Sequence, residues 1–365
     1  MMNQMIVSNL SRRPVRSLVS IIAVAIEVAM ILLIVGMTNG MVNDNRSRIQ
    51  GVGADVVVRP SSSSIFMALA GNTLPLKLQK VLEQQPDVKA VAPVALQMND
   101  KSLDTIGGID AAPFNAVSGG FLFLKGGIFQ QPYDVIVDDL YASSKKVRVG
   151  QTIPLLGHRF RITGVFEHGK GSRLYIPLET LGELTGAPNK AAVFYIKLAD
   201  PSKTDAAVAR MEQLLPNYKI EPMQQYLSLF TSAQMPGLPV FQHVMIGIAV
   251  IIGFLVIFLS MYTTILERTR EIGILKALGA SRTYIIQVFL RESGALALMG
   301  IVVGTAGALT AQHVLSRAYP TLTIVVTRHW ILMATLIAIG GSVVGALYPA
   351  LKAARQDAIA ALAYE

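Results

Sequence analysis

The sequence predicts an α-helical integral membrane protein with four transmembrane helices and an α+β extracytoplasmic domain inserted between the first and second helices. Three observations lead to this prediction. First, 52% of the 365 residues are hydrophobic and only 15% are charged, whereas an average soluble chain carries about 25% charged residues. Second, four apolar segments are longer than the ~18 residues that indicate a membrane helix. Third, a long stretch of mixed composition separates the first of these segments from the other three.

The predicted spans divide the chain into nine segments. These are a cytoplasmic N-terminal segment (1–16), span one (17–42), the extracytoplasmic domain (43–239), span two (240–266), a cytoplasmic loop (267–293), span three (294–316), a short external loop (317–330), span four (331–351) and a cytoplasmic C-terminus (352–365). Buried helices of a soluble core rarely give four such runs. The first run is too long for the apolar region of a signal peptide, and no small-residue cleavage site follows it, so we interpret it as a membrane helix.

Basic residues beside the spans predict the orientation of the chain. On the side of the membrane that would hold the N-terminus, ten basic and five acidic residues flank the spans. On the other side, the loop 317–330 contains two arginines. Because short cytoplasmic loops are rich in Lys and Arg, we predict that both termini and the loop 267–293 face the cytoplasm at the inner (plasma) membrane. This bias accounts for the net charge of +9, so the sequence does not indicate a nucleic-acid partner. The chain has no Cys, which excludes disulfides.

The segment between spans one and two has both strand and helix signals. The stretch 54–60 predicts a strand, 133–140 predicts a strand that leads into a short helix, and 146–178 alternates apolar and polar residues with Gly at the turns, which is typical of antiparallel strands. Ser202 is the expected N-cap of a helix within 200–217. The loop 59–73 has an apolar tip, which either packs on its own domain or contacts lipid or a partner.

A charged, helix-forming stretch, "LERTREIGILKALGAS", follows span two without a pause. Gly279 is placed to end a first helix, and Ser281 is placed to cap a second one that runs into span three. Glu267, Glu271 and Leu278 fall on one stripe of the first helix together with Ile274. A stripe that mixes acids with aliphatic residues favours a docking surface over a face that lies in lipid.

This stretch closely resembles the hallmark of the MacB/FtsX/LolC-type permeases of ABC transporters, the type VII ABC superfamily. Three other stretches are similar to parts of that family: "NLSRRPVRSLVSIIAVAIEVA" at the entry to span one, "VGQTIPLLGHRFRITGVFEHG" in the outer domain and "YPALKAARQDAIAALAYE" at the C-terminus. The resemblance covers all four spans and much of the outer domain. The chain departs from the family at Glu27, where a small residue is usual, and at Ala358, which replaces a common Pro.

The resemblance implies a permease half that pairs with a second copy, as a homodimer, and binds one cytosolic ABC ATPase subunit per half, so that two ATPase copies are expected. ATP and Mg would be bound by that ATPase, and no cofactor by this chain. Residues 267–279 would form the coupling helix, with Glu267 at its start and Gly279 at its end. Its polar contacts would be Arg268, Arg270, Glu271 and Lys276, and its apolar anchors would be Ile272, Leu275 and Leu278.

In such a family, ATP-driven movement of the coupling helices bends the outer domains, which is called mechanotransmission. We therefore expect export or extraction of a hydrophobic or amphiphilic substrate (a small molecule, peptide, lipid or lipoprotein), with a periplasmic adaptor or substrate protein as a possible further partner. The alternative is an FtsX-like signalling subunit that activates a periplasmic partner such as a cell-wall hydrolase. A membrane enzyme is a third class, but the sequence has no catalytic constellation, no P-loop motif and five scattered His, so we expect neither catalytic residues nor a metal site.

Polar and small residues inside the spans are further candidates. An acid near mid-membrane, such as Glu27, costs about 2.5–3.5 kcal/mol on insertion scales. Glu27 either forms an interface hydrogen bond or senses a proton or ligand, or it is a tolerated polar residue that holds helices together. Glycines at four-residue spacing permit close helix packing, and they occur as Gly36 and Gly40, Gly300 and Gly304, and Gly341 and Gly345.

Overall fold

The computed structural model describes residues 14–61, 73–99, 104–231 and 237–357. Most of the loop 59–73, most of the N-terminal segment and Ala358 therefore lie outside the described residues. The chain divides into two compact units. The helical unit comprises Met1–Gly40, Pro236–Arg317 and Ile324–Glu365, and the α/β unit comprises Met41–Met235 and Ala318–Thr323.

The described residues form the following helices and strands, numbered in chain order. The helices are α1 (Pro14–Gln50), α2 (Leu78–Glu83), α3 (Ala111–Ser118), α4 (Asp139–Lys145), α5 (Leu178–Leu184), α6 (Thr204–Leu214), α7 (Met223–Ser228), α8 (Leu238–Glu267), α9 (Thr269–Ala277), α10 (Arg282–Ala318) and α11 (Arg328–Arg355). The strands are β1 (Val56–Pro60), β2 (Leu74–Pro75), β3 (Val88–Met98), β4 (Thr105–Ile109), β5 (Phe123–Gly126), β6 (Asp134–Asp138), β7 (Thr152–Leu155), β8 (His158–Phe166), β9 (Leu174–Pro177), β10 (Lys190–Ala191), β11 (Val193–Leu198) and β12 (Tyr218–Pro222).

Four long helices, α1, α8, α10 and α11, are long and apolar enough to cross a membrane. Each continues beyond the apolar span that the sequence predicts. Helix α1 extends to Gln50, and an ion pair of 3.0 Å between Asp44 and Arg48, four residues apart, supports its polar last turns. Helix α10 begins at Arg282, because the amphipathic segment after the loop joins span three without a break.

The helical unit has a core of aliphatic side chains from its long helices. Val28, Ile31 and Ile257 are at most 1% exposed within it, whereas leucines on other faces of the same helices, such as Leu298 at 56%, are exposed. Apolar side chains on the outer surface are expected of helices whose solvent is the lipid tails.

The α/β unit is built on a mixed sheet. In the described residues its strand order is β12-β1-β11-β3-β4-β9-β6-β8-β5, with β7 paired to β8, and β2 and β10 form a separate pair. Most neighbouring strands are antiparallel, but β4 pairs with β9 and β6 with β8 in parallel. Strand β5 lies at one edge of this order, beside the exposed side chains of Leu122 (63%) and Leu124 (53%). Four apolar helices with an α/β domain after the first confirm the predicted fold class.

Local predictions in this unit have mixed outcomes. Strand β1, the step from β6 into α4 and the β7–β8 hairpin are confirmed. The antiparallel run predicted over 146–178 is interrupted, because β6 lies between β8 and β9. The prediction of Ser202 as an N-cap is wrong: Asp200 is the capping residue, and its carboxylate accepts a hydrogen bond of 3.0 Å from the Ser202 backbone N–H at the start of a short 3₁₀ turn.

Candidate functional site: the knob between the second and third long helices

A short helical knob, residues 267–281, connects α8 to α10 and contains α9. The turn after α9 is closed by two backbone bonds of 3.0 Å, from Gly279 to Lys276 and from Ala280 to Leu275, which is the Schellman arrangement. Gly279 has a φ of +94°, a conformation that favours glycine. The Ser281 hydroxyl accepts a hydrogen bond of 3.2 Å from a backbone N–H in the first turn of α10. The predicted helix stop and helix cap are both confirmed.

Two residues of the predicted coupling helix point into the helical unit. Arg268, 8% exposed, lies 3.4 Å from the carboxylate of Glu292 on α10, which is 5% exposed. Ile272, 3% exposed, packs in the helical core. Both side chains contact this chain's own helices and are not on the exposed surface, where the resemblance expects a partner.

Further polar contacts join the ends of the long helices around the knob. The Arg16 guanidinium on α1 pairs with Glu267 and lies 3.4 Å from the Thr264 hydroxyl on α8. We call Arg16, Glu267, Arg268 and Glu292 the inner ion cluster. It connects α1, α8 and α10 at the end where the knob begins. The sequence did not predict this cluster, because its paired residues are far apart in the chain.

The remaining predicted contact residues lie on or near the surface. Arg270 and Glu271 are exposed, as are Ile274 (45%) and Leu278 (81%), and we call these four residues the knob face. Leu275 is half-buried, and Lys276 is half-buried and donates a hydrogen bond to the backbone carbonyl of Gln356, after α11. One side of the predicted coupling helix is thus buried against the helical unit, and the other side, the knob face, is exposed.

Two of the predicted packing glycines lie between α10 and α1. A methyl group on Gly300 would lie 2.6 Å from the Cβ of Val24, and one on Gly304 would lie 2.5 Å from the carbonyl oxygen of Ala25. Both distances are shorter than carbon-to-carbon or carbon-to-oxygen contact permits. Glycine at these positions therefore allows the two helix backbones to approach each other closely.

The other glycines differ in what they contact. A methyl group on Gly345 would lie 3.1 Å from a carbonyl oxygen of α8, and one on Gly36 would lie 3.2 Å from a side chain of the loop before α11. Gly40 is buried. Gly341 faces more open space, with the Glu27 carboxylate 4.0 Å from the added methyl position.

Glu27 is 4% exposed among α1, α8 and α11. A methyl group on Gly253 of α8, a glycine outside the predicted packing set, would overlap its carboxylate. The Oε1 atom has no hydrogen-bond partner among the described residues. Glu27 therefore occupies space left by glycines on two neighbouring helices.

Comparison with known families identifies the chain. The MacB-like periplasmic core domain matches residues 17–214, and the FtsX-like permease C-terminal domain matches residues 243–358. The chain belongs to the MacB/FtsX-type ABC transporter permeases. The resemblance stated from the sequence is thereby confirmed, and the permease is a multi-pass membrane protein.

Relatives of the permease include longer proteins. The macrolide export ATP-binding/permease protein MacB of Acinetobacter baylyi is 24% identical, over 99% of this chain and 59% of its own length. The ABC transporter permease YknZ of Bacillus subtilis is 28% identical, over 59% of this chain and 55% of its own length. This chain thus spans little more than half the length of these relatives. The crystal structure of the periplasmic region of MacB from Actinobacillus actinomycetemcomitans covers 48% of this chain and 92% of its own, with 16% identity and a TM-score of 0.37.

The α/β unit of the permease contains a second ion cluster. Arg173, 8% exposed, lies 3.0 Å from Asp138 at the end of β6 and 2.9 Å from Asp44 on α1. Its guanidinium also lies 3.5 Å from the backbone carbonyl of Thr321. Burial raises the pKa of Asp138, and the nearby Arg173 charge opposes that rise. We call Arg173, Asp138 and Asp44 the outer ion cluster, which ties the last turns of α1 to the sheet.

Titratable side chains do not form a metal centre in the part of the permease that the structure describes. No group of three His, Asp or Glu side chains there is close enough to hold a metal ion. Within each of the two ion clusters, the buried charged groups are paired with one another.

Proposed function

We propose that this permease couples ATP hydrolysis by a cytosolic ABC ATPase to export or extraction of a hydrophobic or amphiphilic substrate by mechanotransmission. The membership of the MacB/FtsX-type permeases supports this function. The macrolide export named for several relatives is one form that it could take. The chain itself would be non-catalytic, and the ATPase would bind ATP and Mg.

The knob face is the observation that carries the proposal. Leu278 is 81% exposed and Ile274 is 45% exposed, and the oppositely charged Arg270 and Glu271 lie beside them. Apolar side chains rimmed by charges are typical of a protein–protein contact. The distribution of Lys and Arg also predicts that the knob faces the cytoplasm, where a soluble ATPase could reach it.

The inner ion cluster gives the knob a firm connection to the long helices. Removing one partner of a buried ion pair leaves an uncompensated charge, which is strongly destabilising, so Arg268 and Glu292 are expected to stay together when the knob moves. A force on α9 would then pass to α10 through this pair and to α1 through Arg16 and Glu267. The outer ion cluster would receive the movement of α1.

The assembly that follows from this proposal is a homodimer of permeases with two ATPase copies at the inner membrane. Both termini and the knob would be cytoplasmic, and the α/β unit would be extracytoplasmic, where a periplasmic adaptor or substrate protein could bind. The exposed apolar faces of the long helices would contact lipid.

The knob face is tested by co-purification with the cognate ABC ATPase after co-expression in membranes. We expect Leu278→Asp to abolish co-purification while the permease still inserts, because the change places a charge in the centre of an apolar contact. Leu214→Asp, on an exposed leucine of α6, is the matched control and should leave co-purification unchanged. ATPase bound equally by the parent and by Leu278→Asp would contradict the proposal.

Transport and signalling are separated by a second assay. Proteoliposomes with permease and ATPase would be supplied with ATP, and release of a fluorescent amphiphile from the membrane would be measured. ATP-dependent release supports transport. ATP hydrolysis without release, together with activation of an added cell-wall hydrolase, would favour the signalling alternative.

A further inference from the structure

The α/β unit contains a cavity of about 90 Å³ that the knob mechanism does not use. It lies between the last turns of α1 and the sheet, and its walls are partly apolar, with Ile49, Val94 and Phe230 among them. Three tyrosines from different elements, Tyr175, Tyr195 and Tyr226, complete the walls. We call this cavity the tyrosine pocket.

The three tyrosine hydroxyls differ in their hydrogen bonds. The Tyr175 hydroxyl accepts a bond of 2.8 Å from the Ser172 backbone N–H and donates one of 3.0 Å to the Lys170 carbonyl. The hydroxyls of Tyr195 and Tyr226 form no hydrogen bond with any described residue, although these side chains are only 5% and 7% exposed. Both side chains line the cavity, so the tyrosine pocket offers two hydroxyl donors that are open to a ligand or to water.

The unused hydroxyls stay protonated at neutral pH. Burial raises the pKa of Tyr226 to about 12 and raises the pKa of Tyr195 well above its ordinary value. The neighbouring phenols of Tyr226 and Tyr175, which line the same cavity, also raise the pKa of Tyr195. A ligand in the pocket therefore faces protonated hydroxyls that can donate hydrogen bonds.

Charge at the pocket is balanced. Arg48 lines the pocket, but its guanidinium already lies 3.0 Å from Asp44, 2.7 Å from the Gly171 carbonyl and 3.4 Å from the Asn45 amide oxygen. With the guanidinium engaged in this way, an anionic ligand gains little here. The walls suit an uncharged, mostly apolar group with an oxygen that accepts hydrogen bonds.

We propose that the tyrosine pocket binds the uncharged apolar end of an amphiphile through a carbonyl or ether oxygen that accepts hydrogen bonds from Tyr195 and Tyr226. Its volume is smaller than the roughly 300–1,000 Å³ of pockets that enclose a whole drug-sized ligand, so it holds one end of a larger molecule. This inference rests on the proposed function in naming a substrate class. Its test needs no ATPase, so its failure would leave the coupling proposal standing.

The experiment uses the absence of Cys in the chain. Thr105 lines the pocket, and the Thr105→Cys variant of the full chain in lipid nanodiscs would be labelled with methyl methanethiosulfonate. Acetophenone is the probe, and ethylbenzene, which lacks the carbonyl oxygen, is its matched control. We expect saturable protection by acetophenone at a concentration about tenfold lower than that of ethylbenzene, because only acetophenone accepts hydrogen bonds from the tyrosine hydroxyls; a tenfold change corresponds to about 1.4 kcal/mol.

Removing the two hydroxyls completes the test. In a Thr105→Cys chain that also carries Tyr195→Phe and Tyr226→Phe, acetophenone should protect no better than ethylbenzene. Ser143→Cys, at an exposed serine of α4, should be labelled equally with and without either compound. Equal protection by both compounds in the parent, protection unchanged by the Phe pair, or a Thr105→Cys thiol that never reacts would each overturn the proposal.

Discussion

Replacing Arg173 with methionine would remove the counter-charge of a carboxylate that is buried in the α/β unit. Asp138 is 1% exposed and has Arg173 at 3.0 Å, whereas Asp44 keeps a second partner, Arg48, at 3.0 Å. The cost of Arg173→Met should therefore come mainly from Asp138. Breaking a buried pair on one side costs about 3–5 kcal/mol, and we expect a loss of local stability of that size at neutral pH.

The loss should depend on pH in a defined direction. Burial already raises the pKa of Asp138, and without Arg173 this pKa should rise further. A carboxyl whose pKa is higher in the folded than in the unfolded state stabilises the fold when protonated, and this contribution is lost as pH rises through the folded-state pKa. The difference between Arg173→Met and the parent should thus be small near the unfolded pKa of about 4 and largest at neutral pH.

Hydrogen exchange of the backbone amides in β6 and β9 measures this local stability in the full chain. Adding Asp138→Asn to Arg173→Met should recover most of the loss, because asparagine is neutral and can still accept the bond of 2.6 Å from the Tyr141 N–H that caps α4. Arg210→Met, which breaks an exposed pair with Asp87, is the control and should change nothing measurable. An equal response of the two arginine variants, or a loss that does not vary with pH, would refute the reasoning.

Three other predictions concern close packing and buried polar groups. Gly304→Ala should lower the free energy of unfolding of the helical unit by about 1–3 kcal/mol, because the added methyl group overlaps the backbone of α1 and forces it to shift. Gly307→Ala is the control, since its added methyl group would have no atom within 4 Å, and it should not lower stability. Denaturation in mixed micelles measures both variants. Glu27→Gln should preserve folding and the proposed dimer on gel filtration, because the amide has nearly the same shape. A loss of the proposed ATP-driven export despite normal assembly would show a proton- or ligand-sensing role. Tyr175→Phe should reduce the free energy of unfolding, measured by thermal denaturation, by about 1–3 kcal/mol, because it leaves the buried Ser172 N–H unpaired. Tyr195→Phe should have little effect. Equal losses in the two variants would contradict the hydrogen-bond assignment.

Features that depend on local sequence were predictable. The apolar runs exceed the length of a bilayer crossing, and Gly279 and Ser281 carry signals that act within one or two turns of their own helix. The wrong prediction of Ser202 as the N-cap also concerns a choice between neighbouring residues. Asp200 and Ser202 are both good capping residues, and a choice between them two positions apart depends on backbone geometry that the sequence does not show.

Features that depend on distant pairing were not predictable. The family resemblance assigned Arg268 and Ile272 to the contact with an ATPase, whereas the structure packs both side chains against this chain's own helices. The buried position of Arg268 depends on Glu292, which lies 24 residues further along the chain. The outer ion cluster joins Asp44 to Arg173 across 129 residues. The order of β6, β8 and β9 likewise depends on long-range strand pairing.

The outer edge of β5 has a practical consequence for handling the α/β unit. An exposed edge strand offers free backbone groups for pairing with another molecule, and charged side chains commonly prevent this. Here leucines 122 and 124 are exposed, and Lys125 is the charged side chain within the strand. Preparations of this unit cut away from its helices would be prone to self-association at high concentration, and Leu124→Lys should make them more soluble.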